Sequence, residues 1–221
     1  MMICEVEPPV VIFDNGTGFL KCGFSDGLTP RSVFPCVIGR HLFKQKQGSN
    51  KDVFVGQEAI DNRESLNLQY PMRNGIVQDW EAMTLIWDHA LEKGLGLQDT
   101  QGLKILLTDP ANNPRSIRRR MLEIMFERYG FDSALLQIQA VLTLYAQGLL
   151  TGLVLDSGDG VSHAVAVVEG YPLPHLTQRL DLAGRHVTTR LLSLLRAKGY
   201  SLGGYGGAYG GYGGGGAVVS G

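Results

Sequence analysis

One short pattern occurs twice in this chain: an apolar run, an acidic glycine turn and a second apolar run. The turn is DNGTG at Asp14–Gly18 and DSGDG at Asp156–Gly160, about 140 residues apart. Val10–Phe13 precedes the first turn and Phe19–Phe24 follows it, while Leu153–Asp156 and Val161–Val168 flank the second. A turn signal between apolar runs predicts an antiparallel hairpin, and Asn15-Gly16 is a strong one. A single turn of this kind is ordinarily no more than a hairpin. Two in matching context predict two related units, each opening on its own hairpin. About 140 residues follow the first hairpin, but only about 40 follow the second before the composition changes. The second unit is therefore expected to be mostly absent.

Around the hairpins, Val33–Ile38, Val53–Val55 and Leu103–Thr108 read as strands, the last a continuous apolar run of the buried type. Asp79 is placed to cap a helix with Met83, Ile86, Trp87, Ala90 and Leu91 on one face. Asn113 followed by Pro114 predicts a helix to about Arg128. Its Arg118-Arg119-Arg120 run reads as a solvated face. Leu135–Ile138 leads into a helix reaching Leu150, Leu176–Leu182 reads as a last strand, and Val187–Ala197 as a Leu-rich helix ended by Gly199. Arg40–Lys51 reads as a polar, basic loop. Elements in this order predict an α/β fold. The expected division is a first domain over 9–152 with a small insertion at about 35–70, the start of a second domain over 153–202, and a tail over 203–221. That tail holds eleven of the 30 glycines, with Tyr205, Tyr209 and Tyr212 between them. Such a segment buries too little apolar surface to offset its ordering entropy, so disorder is expected.

With 20 basic and 21 acidic residues the net charge is −1, which gives no reason to expect a nucleic-acid or anionic-membrane surface. No apolar run is long enough to span a bilayer, and the first seven residues read as no signal peptide. Cys4, Cys22 and Cys36 lack the spacing and histidine partners of a zinc site and read as reduced thiols of a cytosolic protein.

Glycine turns let rows of backbone N–H groups approach a phosphate with no Cβ in the way. Gly16 and Gly18 supply this in the first turn, with the Thr17 hydroxyl, and Gly158 and Gly160 in the second. Lys21, on the return strand, is placed to meet phosphate as a point charge. Asp14 and Asp156 are candidates to hold Mg²⁺, which keeps several waters and takes few protein ligands. Asp159 is expected nearer the phosphates. Gln139 and His163 are candidates for orienting an attacking water. There is no GxxxxGK[ST] motif, and Gly16-x-Gly18 lacks the third glycine of a dinucleotide fingerprint. A phosphate clamp here is of the two-hairpin kind.

At these residues the chain resembles the actin superfamily, whose ATP cleft has two such hairpins. The resemblance is carried by NGTGFLKCGF (Asn15–Phe24), YPMRNGIVQDW (Tyr70–Trp80), KILLTDP (Lys104–Pro110), IQAVLTLYAQGLLTG (Ile138–Gly152), LDSGDGVSH (Leu155–His163) and PHLTQRLDLAGR (Pro174–Arg185). It covers roughly residues 9–202. Gln147–Gly152 and Pro174–Thr177 look more like an actin-related subunit of the filament-branching complex than like conventional actin. Asp109 stands where the family usually has glutamate.

The resemblance implies an actin-like (ribonuclease-H-like) ATPase fold with the first domain complete and the second truncated. It implies ATP and Mg as ligands, and actin filaments and the other branching-complex subunits as partners. It also implies a cytoplasmic, cytoskeletal location and at most a weak ATPase. Asp14, Asn15, Gly16, Thr17 and Lys21 match the first phosphate loop, and Asp156, Gly158, Asp159 and Gly160 the second. Gln139 and His163 match the residues that order the hydrolytic water, and Arg40–Lys51 the loop that reaches a neighbouring filament subunit. Two readings result: an ATP-binding subunit in branched-filament nucleation, or a shortened interaction fragment or non-functional gene copy that binds nucleotide weakly or not at all. A small-molecule kinase or chaperone ATPase shares the two-hairpin fold, but the subunit-like stretches far from the turns oppose it.

Overall fold

The computed structural model describes residues 8–41 and 52–200. The glycine-tyrosine tail, Cys4 and positions 42–51 of the basic loop lie outside the described residues.

β1 (Val11–Asn15) and β2 (Phe19–Phe24) form the first hairpin, and β3 (Ser32–Pro35) pairs antiparallel with β2. The alternation of β1 buries Val11, Phe13 and Asn15 on one face. The chain then crosses to a small sheet of β4 (Ile38–His41), β5 (Val53–Val55) and β6 (Leu66–Gln69), with α1 (Gln57–Asp61) between the last two. β7 (Met72–Arg73) and β8 (Ile76–Val77) make a miniature hairpin. α2 (Trp80–His89) starts on Asp79, whose Oδ1 accepts the Ala82 N–H at 3.0 Å, and runs on as a wide π-type turn over Ala90–Leu95. β9 (Lys104–Asp109), α3 (Arg115–Glu127), β10 (Ser133–Ile138) and α4 (Gln139–Ala146) follow. β9 lies parallel to β1 and β10 parallel to β9, giving the order β10-β9-β1-β2-β3.

The second sheet repeats the start of the first. β11 (Gly152–Ser157) and β12 (Ser162–Val168) form the second hairpin. β12 also pairs antiparallel with β13 (Tyr171–Pro172) and β14 (Gln178–Leu180), and α5 (Gly184–Ala197) closes the described chain. The main core joins Val11, Phe13 and Leu20 of the first hairpin to Met83, Ile86 and Trp87 of α2 and Leu107 of β9. Each such side chain contributes about 1.5–3 kcal/mol through burial. α4 instead sets Ala140, Val141 and Leu144 against Val154, Val165 and Val167 of the second sheet. The opposite face of that sheet exposes Leu153 (75%) and Leu155 (77%), and α5 buries none of its residues.

Several expected elements are redrawn. The Val33–Ile38 run divides between two sheets at Pro35, which has no N–H to continue a ladder. The helix expected to open on Asn113 starts at Arg115, because the Asn113 amide instead donates to Asp109 Oδ1 at 2.6 Å. Arg118, expected in solvent, pairs through Nε with the buried Asp109 carboxylate at 3.0 Å. The last strand shrinks to Gln178–Leu180 behind a short 3₁₀ turn over Pro174–Leu176. Arg40 and His41, expected in the basic loop, belong to β4.

Cys22 and Cys36 are both buried, and burial pushes the Cys22 thiol up to about 11 and the Cys36 thiol up to about 12. The thiolate is the reactive form. Neither residue is therefore expected to react with iodoacetamide at mildly alkaline pH in the folded chain, and both should react once it is denatured. Peptide mass spectrometry reads the two states; rapid native labelling of either would show that the first sheet opens readily.

Candidate functional site

β1 and β2 place Asp14 opposite Lys21 in register, on the same face of the sheet. Lys21 Nζ lies 2.7 Å from Asp14 Oδ2. The Thr108 hydroxyl, near the carboxyl end of β9, donates to Asp14 Oδ1 at 2.6 Å and accepts the Asn15 N–H at 3.3 Å. Gln139 Nε2 stands 3.3 Å from both Asp14 Oδ1 and Thr108 Oγ1. Burial works to raise the Asp14 pKa, but the hydrogen bonds from Lys21 and Thr108 and the Lys21 charge outweigh it and hold the carboxyl below its usual value. Asp14 is thus anionic at neutral pH. On the other face of β1, Asn15 Oδ1 accepts the Trp87 indole N–H at 3.0 Å.

The second turn is held from outside by α5. The N–H groups of Gly184 and Arg185 donate to the carbonyls of Gly158 and Asp159 at 3.0 and 2.9 Å, and Arg185 Nη2 meets Asp159 Oδ2 at 2.7 Å. These bonds use donors that a helix start leaves over. They account for α5 beginning at Gly184 rather than Val187.

The two turns meet tip to tip. A Cβ at Gly160 would stand 2.8 Å from Thr17 Cγ2, and one at Gly18 would stand 3.0 Å from Asp159 Cβ. A third piece ties the junction together. Asn74 and Gly75, both at positive φ, turn the β7–β8 hairpin. The Gly75 N–H donates to Thr17 Oγ1 at 2.8 Å, and Arg179 Nη2 on β14 donates to the Asn74 carbonyl at 2.8 Å.

The turns head one cleft of about 540 Å³, within the usual range for small-molecule sites of about 300–1,000 Å³. Asp14, Asn15, Gly16, Thr17, Lys21, Gln139, Asp156, Gly158, Asp159 and Gly160 all line it, with Leu142, Thr143 and Ala146 of α4 on one side. The N–H groups of Thr17, Gly18, Asp159 and Gly160 meet no acceptor among the described residues. Such donors, with the Lys21 ammonium, suit a phosphate chain. Among the described residues there is no cluster of three or more metal-ligating side chains. Three carboxylates, Asp14, Asp156 and Asp159, line the cleft wall, and such a wall fits a magnesium ion that arrives with its phosphates and keeps its waters.

His163 stands apart from the cleft lining. It faces Asp156 across the β11–β12 ladder, is 3% exposed, and its Nε2 has no hydrogen-bond partner among the described residues. Burial and the Arg179 charge lower its pKa, against the opposing pull of Asp156 and Asp181. Thr108, Trp87 and the Asn74-Gly75 turn are among the contributors that sequence reasoning did not place at the site. Thr108 carried one usable signal: a hydroxyl near the carboxyl end of an apolar strand, where α/β sheets place ligands.

A family model described as Actin matches residues 5–203. Actin-related protein 2 of Arabidopsis thaliana is 52% identical over 197 residues, covering 87% of this chain and 50% of the relative. Actin-related protein 2 of Oryza sativa subsp. indica is 51% identical over 197 residues, again 87% and 50%. The Acanthamoeba castellanii protein of the same name is 50% identical over 195 residues, 86% of this chain and 50% of the relative. The chain thus spans about half the length of these curated relatives.

Proposed function

This chain belongs to the actin family, and from that premise we propose that its cleft binds the phosphates of Mg·ATP in a subunit that acts with actin filaments and the other branching-complex subunits to nucleate branched filaments in the cytoplasmic cytoskeleton. The observation that carries the nucleotide part is the meeting of two glycine turns, with their free N–H donors, at the head of one cleft. The partners come from the relatives' name, actin-related protein 2. Lys21 and the turn N–H groups hold phosphate oxygens. Asp14 and Asp156 receive the hydrated metal, whose charge offsets that of the phosphates. Gln139, anchored to Asp14 and Thr108, is the cleft-lining group suited to orient water, while His163 stands across the ladder from Asp156 and outside the lining. Activity is at most that of a weak ATPase.

The second reading, a non-nucleating interaction fragment, draws on the exposed Leu153 and Leu155 and on the unburied α5. Calorimetric titration separates the two. Mg·ATP is expected to bind the purified chain, and Lys21→Met to weaken binding about tenfold by removing a charge-assisted contact. Absence of binding at millimolar Mg·ATP would leave only the second reading. Alone, the chain is not expected to seed actin filaments.

A further inference from the structure

The first turn is gripped on two sides. On the cleft side Asp14 is held by Thr108, Lys21 and Gln139. On the core side Asn15, the next residue, is held by Trp87. An indole N–H only donates, so it selects the carbonyl end of the Asn15 amide and fixes the orientation of that amide. Asn15 is 4% exposed, and its Nδ2 has no partner among the described residues. The contact with Trp87 is thus the hydrogen bond that anchors its side chain. Trp87 is itself immobilised: it is fully buried, and the Tyr129 ring meets it edge-on at 6.4 Å. The Tyr129 hydroxyl donates to Asp88 Oδ1 at 2.7 Å, one residue along α2. A rigid donor on the helix therefore sets the backbone from which Gly16, Thr17 and Gly18 continue.

We infer that Trp87 is a positioning residue for the first turn: its indole N–H, through Asn15 Oδ1, fixes the direction in which the turn presents its N–H groups to the cleft. The inference rests on the nucleotide reading above. It also makes the Trp87 indole a reporter of what fills the cleft, although Trp87 is not among the cleft's lining residues. Trp80, the chain's other tryptophan, packs in the same core at 6.4 Å from Trp87, whereas the indole that bonds Asn15 is that of Trp87.

The test uses the full chain, the variants Trp87→Phe and Trp80→Phe, and Mg·ATP as the probe. Trp87→Phe keeps a core aromatic and removes the donor. It is expected to weaken Mg·ATP binding about 3- to 10-fold, the value of one hydrogen bond. Trp80→Phe should leave affinity unchanged, whereas a merely structural role would make the two variants alike. In the ¹⁵N-labelled wild-type chain, the Trp87 indole resonance should shift on titration while that of Trp80 stays. This second readout decides the matter if Trp87→Phe does not fold. Wild-type binding with a static Trp87 resonance, or with undiminished affinity in Trp87→Phe, overturns the inference and leaves the nucleotide reading intact. No wild-type binding removes both.

Discussion

Gly160→Ala is expected to weaken Mg·ATP binding by at least about tenfold and to cost about 1–3 kcal/mol of stability, the usual range for overpacking. The backbone at Gly160 is not in the left-handed region, so glycine is required there by proximity alone. The new methyl would stand 2.8 Å from Thr17 Cγ2 and 3.0 Å from Thr17 Oγ1. Thr17 cannot simply rotate away, because its hydroxyl accepts the Gly75 N–H at 2.8 Å. The tips must part, and the two rows of N–H donors part with them. Gly158 supplies the control in the same turn: a Cβ there meets only the Val161 carbonyl, at 3.8 Å. Gly158→Ala should therefore be tolerated. Adding Thr17→Ser to Gly160→Ala removes the clashing Cγ2, keeps the hydroxyl and should restore part of the lost affinity, as expected of residues in contact. Titration calorimetry and urea unfolding read both quantities. Equal affinities for the two alanine variants would mean that the turns do not meet in solution.

The parts of this site that the sequence made legible are local. Two acidic glycine turns between apolar runs announced two hairpins, and strand register then set Asp14 beside Lys21. Even here the turn chemistry was misplaced. Asn15 remains in β1, and the tight Asn-Gly turn with two positive φ angles is made by Asn74 and Gly75. Asn15 is instead fixed by Trp87, 72 positions away, and the Asn15 N–H by Thr108, 93 positions away. No window of sequence holds both ends of such a bond. The start of α5 was hidden for the same reason, since the carbonyls that hold it belong to the second turn. The Val33–Ile38 run looked continuous because its apolar character does not change where the strand leaves one sheet for another. Pro35 was the local sign of that break.

The repeat that organises the chain also yields a sharp stability contrast, because Phe13 and Leu155 occupy the same place in the two hairpins, each one residue before the acidic residue of its turn. Phe13 is fully buried, paired in register with Cys22 on β2 and Leu107 on β9 and covered by the α2 side of the core. Leu155 is 77% exposed, and among the described residues nothing covers its face of the second sheet. Phe13→Ala is expected to cost about 3–5 kcal/mol, a large share of the roughly 5–15 kcal/mol that holds a domain together. It should also abolish nucleotide binding, since β1 delivers Asp14 and Asn15 to the cleft. Leu155→Ala, at the matching position, should fall within about 0.5 kcal/mol, as exposed substitutions do. Urea denaturation of the two variants measures the difference directly. A loss at Leu155 approaching that at Phe13 would mean that the outer face of the second sheet is covered in solution, and that the second hairpin is packed on both faces rather than against α4 alone.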